Sequence, residues 1–420
     1  MHDPLVMSYL QSLTYRLASS SQLSNKQLSL VIINSPAINA FAVPGGIIGV
    51  NAGLFIHASS EGELAGVIAH ELAHLSQRHF ARSVEEAKKN QWLQGAALLA
   101  SVLLIAASDS ESGYAALATT QAAAVQSQLR FSRQNEREAD RLAMNTMAEA
   151  ELDPRSVGFF FEKLQKAYQY SGEKPPEYLL THPVTESRVA DAKGRAAQYP
   201  SKYYPENTDF YLTKARMEAL YAADTKEAIK RDKGLLENSL TTQQIMIRYR
   251  LINLLIRAQL YQEAEQHLKV LTEKIPDKLL LHLTLGQIKL ARKDYKSALN
   301  IMKELYAIQP DNFSLNLIYL QALLESEETK TALELLEKLK IQHPESPELW
   351  SLLSQAYGKT GDIIGVHLAL AEQLFLNGKP DEAIEQLEYA LTLIDNDFPL
   401  VSKIEHRILS IEKSRGELRL

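Results

Sequence analysis

The sequence predicts an α+β chain: a mostly helical N-terminal domain holding a small sheet, followed by an all-α solenoid of tandem helix pairs. Three observations carry this. The β-branched run Leu28-Ser29-Leu30-Val31-Ile32-Ile33, followed by residues 39–50 broken at Pro44-Gly45-Gly46, reads as strands around a tight turn. Leu64, Val67, Ile68, Leu72 and Leu75 form an apolar stripe at helical spacing. In the second half, Pro276, Pro310 and Pro344 recur every 34 residues, as do Ala264, Ala298 and Ala332.

Composition bounds the function. At 420 residues the chain exceeds one ordinary core, so two or three domains are expected. A net charge of -6 argues against a general nucleic-acid binder. The absence of cysteine excludes disulfides and thiolate ligands, so any metal site must use His, Asp or Glu. It also suits an oxidising compartment. Met1-His2-Asp3-Pro4-Leu5 is not a basic start followed by an apolar run. Either the protein is cytoplasmic or a secretion signal has been removed.

Residues 4–19 form an amphipathic helix and residues 28–33 a buried strand. Pro44 and the glycines suit an edge position in the hairpin that follows. Such an edge can take up an extended peptide by strand addition. Ser60-Glu61-Gly62-Glu63 matches the capping box that starts a helix. In the middle of that helix lies His70-Glu71-Leu72-Ala73-His74. Residues four apart share a helix face, so His70 and His74 can point at one metal ion, with Glu71 beside them to reach a metal-bound water. This is the HExxH arrangement of zinc hydrolases.

A catalytic zinc normally has three protein ligands. The helix opening at Ser132-Arg133-Gln134-Asn135-Glu136-Arg137-Glu138-Ala139-Asp140 offers the third. Glu136 and Asp140 share a face: Glu136 completes a His-His-Glu set, and Asp140 bonds the second nitrogen of a ligand histidine. Glu138 points elsewhere. His79 falls on a different face from His74 and is expected to be structural. Between these helices, residues 92–107 are uncharged and apolar nearly all round, yet shorter than a spanning helix. With the alanine-rich tract 114–124 they are expected to form a buried or membrane-apposed hairpin, with membrane-surface contact through 92–107.

The 34-residue period, with paired amphipathic helices and a closing proline, is the tetratricopeptide signature. Tyr261 and Tyr295 fit it, and the register shifts after Tyr357-Gly358. Residues 208–238 read as a degenerate first pair and 368–384 as a further one, giving about four to five units. Pro200 and Pro205 interrupt the periodicity, which sets a first domain at 1–200, a linker at 201–207 and the repeat domain at 208–420. Stacks of this kind present concave surfaces to proteins.

Residues 39–53, the His-Glu-Leu-Ala-His helix and the Ser-Arg-x-x-Glu-x-x-Ala-Asp segment together resemble the gluzincin peptidases of the HtpX, Oma and CAAX-prenyl-protease type. With the repeats, the chain is similar to the BepA-like periplasmic branch of that group. The resemblance implies one zinc per chain held by His70, His74 and Glu136, with Glu71 as base and Asp140 behind the ligands. Thr181-His182-Pro183-Val184-Thr185-Glu186-Ser187-Arg188 matches the group's His-Pro segment with its following arginine. By that match His182 and Arg188 face the cleft: His182 as a regulatory fourth ligand or transition-state helper, and either residue as an oxyanion stabiliser. The implied activity is zinc-dependent endopeptidase action in outer-membrane protein quality control, in the periplasm, with the signal removed. The implied partners are unfolded or stalled outer-membrane proteins and the β-barrel assembly machinery. The alternative is a chaperone-like interaction protein with a masked or structural zinc site. A cytoplasmic quality-control protease is a third option, separated by whether the precursor carries a signal peptide.

Overall fold

The computed structural model describes residues 3–89, 122–171, 177–236 and 241–418. They divide into two compact units, Asp3–Arg250 and Leu251–Leu420.

The first unit opens with α1 (Pro4–Ser19), capped by Asp3, whose side chain accepts from the Leu5 and Val6 amides. Its Val6, Leu10, Leu13 and Leu17 are buried. Strands β1 (Ser29–Ile33), β2 (Ala40–Val43) and β3 (Ile47–Asn51) form one sheet in the order β1-β3-β2. β1 runs parallel and β2 antiparallel to β3, so the expected hairpin is present and β2 is an edge. Its turn needs left-handed backbone at Gly45 (φ 98°) and Gly46 (φ 84°). A Cβ on Gly46 would also stand 2.6 Å from the Gln27 carbonyl oxygen. Phe41 covers Gly49, its partner across the strands.

Helix α2 (Ala52–His57) leads to α3 (Glu61–Ser76). The Ser60 hydroxyl accepts from the Glu63 amide at 3.3 Å, as the capping box requires. The Glu63 carboxylate reaches Ser59 N at 2.8 Å rather than Ser60, and Lys163 Nζ lies 3.0 Å from it. Residues 62–73 are all buried, so α3 is the axis of the core and not an amphipathic surface helix. It packs against α1, α5 (Ala122–Glu149) and α6 (Arg155–Ser171), and is followed by α4 (His79–Lys89). Helices α7 (Glu177–Thr181) and α8 (Glu186–Ala196) bring the chain back to α5 and α6.

Helix α9 (Thr208–Leu220) adds Phe210 and Met217 to this same core, and Arg216 Nε donates to Asp3 Oδ2 at 2.7 Å. In α10 (Thr225–Leu235) the buried Asp232 accepts from Arg250 Nε at 2.7 Å and Nη2 at 2.8 Å. The expected linker 201–207 and residues 208–236 of the expected first repeat thus lie inside the first unit.

Helix α11 (Thr242–Arg257) crosses the division between the units. The second unit continues through α12 (Tyr261–Lys274), α13 (Leu279–Ala291), α14 (Tyr295–Ile308), α15 (Phe313–Glu325) and α16 (Thr329–Gln342). It ends with α17 (Pro347–Thr360), α18 (Ile363–Leu376), α19 (Pro380–Thr392) and α20 (Phe398–Leu418). Ala264, Ala298 and Ala332 are fully buried, small residues where paired helices come close, and the periodic prolines occupy the turns between pairs. Within pairs, the turns place Gln259, Lys293, Glu327 and Gly361 in left-handed backbone, again 34 residues apart. Gly361 therefore keeps the period past Tyr357-Gly358. Asn396, left-handed before α20, lies 35 residues beyond Gly361, so the register changes by one after that point.

Among the described residues, no helix is long and apolar enough to cross a membrane. The apolar segment 92–107 and residues 114–121 of the alanine-rich tract lie outside the described residues.

Gly53, in the first turn of α2, shows how tightly that helix meets the loop before β2. A Cβ there would run into the backbone carbonyls of Pro36 and Ala37, which cannot yield as a side chain can. Gly53→Ala is expected to cost about 1–3 kcal/mol, read as a lower urea midpoint. An unchanged midpoint would contradict the close approach.

Candidate metal centre

The centre forms where α3, α5 and the segment between α7 and α8 converge. Helix spacing does the first part: His70 and His74 sit one turn apart, and their Nε2 atoms come to 3.0 Å. Glu136 reaches in from α5, with Oε2 3.3 Å from His70 Nε2 and Oε1 3.3 Å from His74 Nε2. His182 Nδ1 lies 3.1 Å from both Glu136 oxygens and 3.3 Å from His70 Nε2. The Tyr178 ring lies 4.9 Å from the His182 ring at 32° and limits its rotation. Each of the four groups offers one ligand atom, and these atoms all lie within 4.8 Å of one another.

The donors fit a small cation. A tetrahedral site with bonds of about 2.0–2.1 Å has ligand-to-ligand edges of about 3.3–3.4 Å. The separations of 3.0–3.3 Å are close to that. His70 Nδ1 is 3.0 Å from Asp140 Oδ1, and a carboxylate only accepts, so the Nε2 lone pair of His70 faces the centre. With its hydrogen on Nε2, the His74 ring at 3.0 Å donates to that lone pair; with its hydrogen on Nδ1, it sets lone pair against lone pair beside a carboxylate, an arrangement that a cation satisfies. Burial opposes charge on His70, but Glu136 and Asp140 outweigh it and raise its pKa to about 10. Burial pushes His74 down to about 3, so His70 is the ring that takes a proton. Burial alone would raise Glu136, yet the charge of His70 and hydrogen bonds from the three histidines hold it well below its ordinary value.

Arg188 braces this arrangement. Its Nε and Nη2 donate to the two oxygens of Asp140 at 2.8 and 2.7 Å. Its Nη1 donates to the Pro183 carbonyl and lies 2.9 Å from Glu136 Oε2. Only 4% exposed, it stands behind the candidate ligands and is absent from the cleft lining, unlike the cleft-facing arginine expected from the sequence. Burial would raise Asp140, but its bonds to His70 and Arg188 lower it.

Glu71 is buried beside the ligands. Burial raises its pKa, and the amide of Ala42 in β2 bonds it. Its Oε1 lies 3.4 Å from His182 Nε2. A cleft of about 530 Å³ opens here, lined by Glu71, His74, Glu136 and His182 and by Phe41 and Pro44 at the sheet edge. A buried base, a cluster of ligand atoms and an open strand edge therefore share one cavity.

The structure brings together His70, Glu71, His74, Glu136, Asp140, His182 and Arg188. His79 and Glu138, which helical projection puts on other faces, also meet. His79 is buried, with Nδ1 3.0 Å from His74 Nδ1, and Glu138 Oε2 lies 3.3 Å from His79 Nε2. Helical projection misplaced His79 because α3 stops at Ser76 and Arg78 turns left-handed (φ 53°), swinging His79 back. The signal was the end of the apolar stripe at Leu75, followed by Ser76-Gln77-Arg78.

The titrations give the metal-free protein a stability optimum. Below its ordinary 6.5, His74 takes a proton in the unfolded chain but not in the folded one until about 3. Stability therefore falls as pH drops through that window. His70, raised to about 10, stabilises fully below 6.5, and its contribution is lost as pH rises through about 10. With chelator present, urea midpoints at pH about 5, 7 and 9.5 should be highest near 7. A midpoint that climbs from 7 to 5 would rule out a buried neutral His74.

The description "Peptidase family M48" matches residues 4–196, and "Tetratricopeptide repeat" matches 289–356. A Vibrio cholerae protein named putative beta-barrel assembly-enhancing protease is 41% identical over 228 residues, 54% of this chain and 47% of that protein. The beta-barrel assembly-enhancing protease of Yersinia pestis is 32% identical over 390 residues, 93% of this chain and 80% of that protein. The mitochondrial metalloendopeptidase OMA1 of Arabidopsis thaliana is 35% identical over 171 residues, 41% of this chain and 32% of that protein. The match thus spans about half the length of the Vibrio relative and four fifths of the Yersinia one. A peptidase match over the unit that holds the ligand cluster, repeats beyond it and a relative aligned over nearly the whole chain lead to one conclusion: the chain belongs to peptidase family M48 and carries tetratricopeptide repeats in its second unit.

Proposed function

We propose that the protein is a zinc-dependent endopeptidase acting in outer-membrane protein quality control. The observation that carries this reading is Glu71 beside His70, His74 and Glu136 in a cleft bordered by the open edge of β2. In this reading His70, His74 and Glu136 hold the zinc, and Asp140 orients His70. When bound, zinc supplies a Lewis acid for the scissile carbonyl and acidifies water toward a pKa of about 7. Glu71 takes the proton of the attacking water and returns it to the leaving amine. Its burial favours the protonated form needed between those steps. The edge of β2 pairs with an extended backbone and lays it past Glu71. Arg188 acts by holding Asp140 and Glu136 in place and does not meet the substrate.

His182 is a regulatory ligand in the same reading. With Nδ1 in the ligand cluster it would be a fourth residue holding the metal, and its withdrawal toward Glu71 would leave that place open. That placement also favours a second reading, a chaperone-like interaction protein whose zinc is permanently masked. The first unit carries catalysis, and the repeats of the second unit, Leu251–Leu420, dock clients or the β-barrel assembly machinery. The names of the relatives, which speak of beta-barrel assembly, support this setting, and the proposed location is the periplasm.

Cleavage of casein and of an unfolded outer-membrane protein by the full chain tests both readings. Glu71→Gln is expected to lose about a hundred- to ten-thousandfold in rate. Chelation should abolish cleavage, and added zinc should restore it. His182→Ala should cleave faster than the parent. If neither the parent nor His182→Ala cuts while both hold zinc, the masked interaction protein is the better account.

A further inference from the structure

We propose that His79 is a positioning residue for the metal centre: its Nδ1 accepts the Nδ1–H of His74, committing the Nε2 lone pair of His74 to the ligand cluster. The inference rests on the reading above that His74 is a ligand.

The protons can be placed by elimination along the chain of contacts. Glu138 Oε2 lies 3.3 Å from His79 Nε2 and 3.3 Å from Arg82 Nη1. A carboxylate paired with a guanidinium accepts and does not donate, so the His79 Nε2 carries its hydrogen toward Glu138. A neutral His79 then has a bare Nδ1. His74 Nδ1, 3.0 Å away, must be the donor in that pair. Once its hydrogen is used there, His74 Nε2 has only a lone pair to present to His70 and Glu136. The opposite tautomer would set two bare nitrogens against each other between His74 and His79.

The backbone holds His79 where this requires it. Arg78 takes left-handed φ of 53°, which ends the α3 trajectory and returns the next residue toward His74. Ser83 Oγ donates to the His79 carbonyl at 2.8 Å and pins the first turn of α4. His79 itself is 3% exposed, so water does not compete for Nδ1. The rings of His74 and His79 meet edge to face, with centroids 4.9 Å apart.

The two ligand histidines are thus supported unequally. His70 Nδ1 lies 3.0 Å from Asp140 Oδ1, a charged group that strengthens it as a ligand. His74 donates to a neutral ring, which fixes its tautomer and orientation with less electron push. Helix α5 serves both: Asp140 directly and Glu138 through His79.

The test is zinc affinity of the full chain, measured by competition with a chromophoric chelator, with thermal unfolding of the metal-free forms alongside. His79→Leu removes the acceptor and is expected to weaken zinc binding about ten- to hundredfold. His79→Asn keeps an acceptor oxygen near the Nδ1 position and should recover most of that loss. Glu138→Gln keeps the His79 ring but loosens its tautomer, and should weaken zinc by a smaller factor. A residue that only packs would lower thermal stability in His79→Leu and His79→Asn alike, without separating their affinities. Parent-like affinity in His79→Leu, or equal losses in Leu and Asn, overturns the proposal. If His79→Leu does not fold, Glu138→Gln with unaltered affinity overturns it. Loss of zinc from the parent itself would instead overturn the reading of His74 as a ligand.

Discussion

Two carboxylates, Glu136 and Asp140, lie buried within reach of a single guanidinium, that of Arg188, and the catalytic unit is arranged around the charge left over. Burying an uncompensated charge costs several kcal/mol. The Arg188 fork satisfies Asp140 through two bonds and spares Nη1 for Glu136 and a carbonyl. Glu136 still faces the imidazoles of His70, His74 and His182, so the remaining positive charge has to arrive at their common focus. The same imbalance explains why His70 binds a proton so tightly when it is the only source of that charge.

Rigid placement of that focus comes from α3. A helix buried over residues 62–73 cannot turn about its axis without disturbing the sheet side and the α5 side together. His70 and Glu71 therefore hold their directions without hydrogen bonds to water. Glu71 is tied to β2 through the Ala42 amide, so the proposed base and the proposed peptide-binding edge share one support. Placement on a stiff element suits a centre whose ligand atoms must agree to a few tenths of an ångström.

What could be read from the sequence was what is encoded locally. The HExxH pair, the Ser60 cap, the Pro44-Gly45-Gly46 turn and the 34-residue period each depend on residues close in the chain. Glu136 with Asp140 was legible because the four-residue rule applies within one helix. His79 was not, since a single left-handed residue, Arg78, broke the phase on which the projection relied. The bracing role of Arg188 was hidden for another reason: its partners are nearly fifty residues away, and only tertiary packing shows them filling its donors. Likewise α9 resembled a repeat helix in pattern, while Phe210 and Met217 pack into the first core.

The bond between Asp3 and Arg216 has a kinetic side. It ties residues 213 apart in sequence, and joins the cap of the first helix to a helix near the far end of the same unit. That core closes only after most of its chain is available, and closing long loops slows folding. In the second unit each helix packs mainly on its neighbours in the chain, so order can spread from any pair. The repeats can therefore organise quickly wherever they start, while the ligand cluster waits for the slowest contacts in the molecule.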